Sequence, residues 1–111
     1  MAQKLTFDEA IDRINDERSI DATDVQARAL RRYIWIAEWH FPGCLSESRA
    51  YCLTKSDAIE SALDFASGED GPPRGMRADL LRYGNSDRTA PDAWARGAIT
   101  TIERVRLRDI L

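Results

Sequence analysis

Tyr33-Ile34-Trp35-Ile36-Ala37-Glu38-Trp39-His40-Phe41, YIWIAEWHF, is the stretch whose periodicity decides the fold class of this 111-residue chain. Its side chains alternate, as those of a pleated strand must. Tyr33, Trp35, Ala37, Trp39 and Phe41 share one face, and Ile34, Ile36, Glu38 and His40 share the other. Aromatic and β-branched residues dominate, which suits a pleated, half-buried surface. The first half is apolar on both faces, so the strand is expected inside the sheet.

Outward from this strand the next signal is a turn. Pro42-Gly43 presets the first central position of a turn and permits positive φ at the second. Arg49 to Thr54, RAYCLT, then reads as a shorter returning strand, so the two make a hairpin with a loop longer than the tightest kind. A helix is predicted from Ser56 through Ala66, with Ile59, Ala62, Leu63 and Ala66 inward and Gly68 as its stop signal.

On the N-terminal side, Thr6-Phe7-Asp8-Glu9 is a capping box followed by Phe7, Ala10, Ile11 and Ile14 at helical spacing. A second helix is predicted from Thr23, with Gln26 completing another box and Arg28, Arg31 and Arg32 in its last turns, where cations favour the helix dipole. Beyond Gly68 the composition of GEDGPPRG marks a loop too short to link domains. Met76 to Tyr83 reads as a short helix stopped by Gly84, and Thr89-Ala90-Pro91-Asp92 as the start of another turn running through Trp94 and Arg96.

The C-terminal ITTIERVRLRDIL fits a strand better than a helix. As a strand it sets Ile99, Thr101, Glu103, Val105 and Leu107 on one face, with Arg104, Arg106 and Arg108 behind Ile102 on the other. As a helix its apolar residues share a face poorly. The expectation is a single α+β domain over residues 1–111: a small three-stranded, mostly antiparallel sheet with helices packed on one face.

Composition narrows the function. Hydrophobic residues at 43% and charged residues at 32% make the chain globular rather than disordered. The longest apolar run, Tyr33 to Ala37, is too short to span a bilayer, and Met1 to Lys4 leads into a polar helix without a signal-like apolar region. A cytosolic protein with reduced cysteines is therefore expected.

Charge is unevenly placed. Residues 1–70 carry eight Lys+Arg against fourteen Asp+Glu, a balance of −6, and residues 71–111 carry eight against five, a balance of +3. All eight cations of the second part are arginines, whose planar forks match carboxylates, phosphates and aromatic faces.

Catalytic and metal signatures are sparse. His40, Cys44 and Cys52 form H-x3-C-x7-C, without the close ligand pairs of structural zinc sites, and a fourth ligand would have to be Glu38, Glu47 or something distant. A Cys44–His40 nucleophile pair lacks a local protease signature and a second histidine. The glycines have neither P-loop nor dinucleotide-binding spacing. No enzyme, metal site or cofactor is expected.

Binding residues are drawn instead from the arginine-bearing half, Arg74, Arg77, Arg104, Arg106 and Arg108, together with Trp39. Alternate arginines on a strand lie about 7 Å apart, near phosphate spacing, but the acidic chain lacks the overall basic balance of nucleic-acid binders. A solvated strand face also accounts for them, and a protein partner with an acidic or aromatic surface suits them equally. Trp39 belongs first to the core. Beside Phe41 and the 42–48 loop it is also a candidate interface anchor, since Trp and Arg dominate binding hot spots.

The layout of YIWIAEWHFPGCLSESRAYCLTKSDAIESALDFA, Tyr33 to Ala66, is strand, loop, strand, then a helix opened by Thr54-Lys55-Ser56-Asp57. In that format the chain resembles small uncharacterised α+β proteins carried by phages and other mobile elements, some of which are anti-CRISPR inhibitors. The resemblance covers about a third of the chain and carries no diagnostic motif. It implies a compact, cytosolic, non-catalytic protein that binds a protein partner stoichiometrically, such as a defence nuclease complex. A nucleic-acid-binding regulator using the same arginines is the alternative.

Overall fold

The computed structural model describes residues 3–40, 46–88 and 99–111. Its N-terminal helix, α1 (Phe7–Asn15), starts at the expected capping box. The Glu9 N–H donates to Thr6 Oγ1 at 3.3 Å, and the Thr6 N–H donates to Glu9 Oε1 at 3.0 Å. Phe7, Ala10 and Ile11 are buried along one stripe, with Ile14 half-buried.

The second helix departs from its sequence signal. Asp21, not Thr23, opens a single 3₁₀ turn, Ala22–Asp24, by exchanging hydrogen bonds with the backbone of Thr23 and with Asp24. Val25 is extended because the chain pairs there with Leu5: the Leu5 N–H donates to the Asp24 carbonyl at 2.8 Å, and the Gln26 N–H donates to the Leu5 carbonyl at 2.9 Å. Only then does α2 (Ala27–Leu30) form, with no side-chain cap from Gln26. A long-range pairing thus outbids a local capping box.

Among the described residues the sheet contains four strands, β1 (Tyr33–His40), β2 (Ser46–Cys52), β3 (Asn85–Ser86) and β4 (Ile99–Arg106), in the order β2-β1-β4-β3, every ladder antiparallel. The α+β architecture is as expected; the sheet has four strands rather than three, because the two-residue β3 carries no periodic signal. C-terminal residues 99–106 adopt the strand, and the chain then tightens into a 3₁₀ turn, Leu107–Ile110. β2 starts earlier than Arg49 and ends at Cys52. Thr54 leaves the strand to cap α3 (Lys55–Ala66), its hydroxyl accepting from the Asp57 N–H at 3.1 Å.

Helices cover both faces of the sheet, where the sequence suggested one. Ala37, Trp39, Cys52 and Ile102 pack beneath α3 and α4 (Met76–Tyr83), against Ala58, Ile59, Ala62, Leu63, Met76 and Leu80. Ile34, Ile36 and Leu107 pack on the opposite face against Phe7, Ala10 and Ile11 of α1, Val25, and Ala29 of α2. This is what a β1 apolar on both sides requires. α3 ends at Ser67 in extended geometry rather than at a left-handed Gly68. Gly84, at φ 74°, does stop α4, and its carbonyl accepts from the Ile102 N–H at 2.8 Å, which starts β3 against β4. The Pro42-Gly43 turn, Phe41, Cys44 and the turn expected from Thr89 through Trp94 and Arg96 lie outside the described residues. No helix among the described residues is long and apolar enough to cross a membrane.

Candidate functional site: an arginine and aromatic surface at one end of the sheet

α3 and α4 cover only part of their face of the sheet. At the end where β1 begins and β4 finishes, cross-strand register sets Tyr33 opposite Arg106 and Trp35 opposite Arg104. These four side chains share the face that Ala37, Trp39 and Ile102 bury further along. Tyr33 remains 44% exposed. The guanidinium carbons of Arg104 and Arg106 lie over its ring, 4.4 and 5.0 Å from the centroid. Contacts of this kind at exposed sites contribute about 0.5–1 kcal/mol each and hold the guanidinium planes in place.

Trp35 continues the surface toward the helices. Lys55, the first residue of α3, extends its ammonium over the Trp35 ring at 5.7 Å and donates to the Leu81 carbonyl at 3.4 Å. That carbonyl belongs to the last turn of α4, where the helix dipole favours a cation. Beside it, Lys55, Ser56, Ile59, Arg77 and Leu81 line a mainly apolar cleft of about 300 Å³ between α3 and α4. Leu81 is itself exposed. The result is a continuous surface: two arginines on a tyrosine, then a tryptophan under a lysine, then an apolar cleft.

The arginines expected to bind divide by neighbourhood. Arg104 and Arg106 have no carboxylate partner among the described residues. Arg108 lies beyond the strand, in the 3₁₀ turn, 3.9 Å from Asp109, so it does not extend their row. Arg77 pairs with Glu60 and joins α4 to α3. The exposed Arg74 offers its carbonyl to Arg88 at 3.3 Å. Trp39 is only 6% exposed and packs in the α3 core. The sequence reading passed over Tyr33, Trp35, Lys55 and Leu81 as contact residues. Alternation put Tyr33 and Trp35 on one face, but only the β1–β4 register could bring arginines beside them.

His40 and Cys52 do not converge. Cys52 is opposite Trp35, on the α3 face, while His40 is on the other face and about 17 Å further along β1. Cys52 is buried, with its sulfur 3.7 Å from Ser61 Oγ, and burial pushes its thiol pKa up, away from the reactive thiolate. Among the described residues no group of three or more His, Cys, Asp or Glu side chains is placed to hold a metal.

A second polar cluster joins α4 to β3. The Asp79 carboxylate accepts from Ser86 Oγ at 2.9 Å and from Arg88 Nε at 2.7 Å. The Arg88 guanidinium, followed by the buried Ser86 hydroxyl, holds this carboxyl below the usual aspartate range. The cluster is internally satisfied and anchors β3.

Comparison of the chain with protein-family models, with curated proteins and with solved structures gives no match in any of the three.

Proposed function

We propose that the protein is a non-enzymatic inhibitor or adaptor that acts in the cytosol by binding a protein partner stoichiometrically. The format resemblance to phage-borne α+β proteins makes a defence nuclease complex the leading class of partner. One observation carries this reading: two guanidinium groups are held over an exposed tyrosine without a carboxylate partner among the described residues. Arginine and tyrosine together are the residue types that dominate binding hot spots, and holding them in place before contact lowers the ordering cost of association.

The test is affinity capture from a lysate of the source cell, with the native chain and with Arg104→Ala/Arg106→Ala side by side. A partner retained by the first and lost by the second supports the reading. A partner retained equally by both refutes this surface as the contact.

The same two arginines, two residues apart on a strand, also favour a second reading, a nucleic-acid-binding regulator. Phosphate contacts predict a steep loss of binding to unrelated DNA or RNA as salt rises. Absence of binding at low salt eliminates it.

A further inference from the structure

We infer that the partner presents an extended acidic segment, with carboxylates on alternate residues and an apolar side chain that enters the α3–α4 cleft. The inference rests on the protein-binding reading above and specifies its chemistry.

The spacing comes from β4. Arg104 and Arg106 are separated by two strand residues, about 7 Å, and point to the same face. An extended segment with carboxylates at alternate positions has the same repeat. Each guanidinium fork can therefore take one carboxylate in the two-bonded geometry that lysine cannot provide. Tyr33 supplies the preorganisation, since both guanidinium groups lie over its ring before any ligand arrives. Lys55, over Trp35, adds a third cation between the arginines and the cleft. Charge complementarity thus selects an anionic occupant at one end of the surface, and the apolar cleft lined by Ile59 and Leu81 selects a hydrocarbon side chain at the other.

Single-stranded nucleic acid fits less well. Such ligands are held by stacking bases on open aromatic faces. Here the Tyr33 ring is already engaged by two guanidinium groups, and the Trp35 ring by Lys55.

The test uses fluorescence anisotropy at low ionic strength with two labelled peptides of identical composition. One carries glutamates at alternate positions ahead of a leucine. The other carries them at every third position, which sends successive carboxylates to opposite faces of an extended chain. A labelled single-stranded oligonucleotide is the third probe. The alternating peptide is expected to bind at least about tenfold more tightly than its isomer, and Arg104→Gln/Arg106→Gln is expected to lose about tenfold or more. Tyr33→Leu, with the fold verified by circular dichroism, should weaken binding several-fold, and Tyr33→Phe should retain it, because the ring and not the hydroxyl holds the arginines.

Equal affinity for the two peptides, no binding by either, or indifference to the double substitution overturns the inference. So does tighter binding of the oligonucleotide that the double substitution abolishes. If captured protein still depends on Arg104 and Arg106 while both peptides fail, the protein-binding reading stands and the acidic motif alone falls.

Discussion

Asn15, the last residue of α1, closes the exposed edge of the sheet in the way another strand would. Its side-chain NH2 donates to the Tyr51 carbonyl at 2.8 Å, and its side-chain oxygen accepts from the Tyr51 N–H at 3.0 Å. β2 is an edge strand, and this two-bond clamp satisfies both backbone groups of Tyr51. A net contribution of about 0.5–1.5 kcal/mol per hydrogen bond, taken at the lower end because both bonds are solvent-accessible, gives about 1–2 kcal/mol for the pair. Asn15→Ala returns up to about 0.7 kcal/mol of helix propensity, leaving a predicted loss of about 1 kcal/mol. For a domain of this size that lowers Tm by about 4 °C. Asn15→Asp is predicted to be worse at neutral pH. It keeps an acceptor for the Tyr51 N–H but sets a carboxylate oxygen against the Tyr51 carbonyl, at the negative end of the helix dipole and close to Asp12 and Asp16. That environment raises the folded-state pKa of the introduced carboxyl. Its penalty is therefore present above that pKa and disappears as pH falls below the ordinary aspartate value of about 4. Thermal unfolding by circular dichroism across pH is the assay, with the gap between the two variants as readout. Asn15→Ala melting with the native protein, or Asn15→Asp proving the milder change at neutral pH, refutes the clamp.

Three further outcomes are expected. The Asp79 carboxyl has a folded pKa depressed chiefly by Arg88, so its contribution is present above the unfolded carboxylate pKa and is lost as pH falls through the folded value; urea titrations should show a shallower acid loss of stability for Asp79→Asn than for the native protein, and equal slopes would contradict the linkage. Gly84→Ala should cost about 1–2 kcal/mol because φ is 74° there, and Gly84→Asn should cost less; a lower urea midpoint at constant m is the expected signature. In a Cys44→Ser background, Cys52 should react with a thiol reagent at least about a hundredfold more slowly in the folded protein than in denaturant, and rapid labelling would place it outside the α3 core.

The sequence-to-structure correspondence was strongest where one physical signal acted alone. The aromatic and β-branched run YIWIAEWHF, apolar on both faces in its first half, is enough to place β1 inside the sheet. Thr6 and Glu9 are enough to start α1, because both halves of the box are local. Gly84 is enough to end α4. The larger departures are cases in which a distant segment decided the outcome. Thr23 and Gln26 carry a plausible cap, but Leu5 pairs across Val25 and Gln26 and holds the chain extended. β3 exists because the Gly84 carbonyl meets the Ile102 N–H, a contact between residues with no shared local pattern. Helices lie on both faces because α1 and α2 return to the Ile34 and Ile36 side. Ile34 and Ile36 hinted at this by being apolar, though periodicity cannot say which helix will cover them.

The candidate surface shows the same limit in another form. Counting arginines in residues 71–111 located a basic half of the chain, but charge counts cannot say which cations the fold itself consumes. Arg77 is spent on Glu60, across α3 and α4, and Arg88 on Asp79 and the Arg74 carbonyl, at the junction of α4 and β3. Both act between elements of the same fold, so their carboxylate partners come with the chain. Arg104 and Arg106 differ because their cross-strand neighbours on that face are Trp35 and Tyr33, which can orient a guanidinium but cannot neutralise it. An aromatic neighbour leaves the full positive charge and most of the donors of each fork facing outward, whereas a carboxylate neighbour would have cancelled one and occupied the other. The distinction between a structural and a recognition arginine therefore lies in the strand register: a shift of one residue between β1 and β4 would set Arg104 and Arg106 opposite the even, apolar residues of β1 and dismantle the surface without altering the composition.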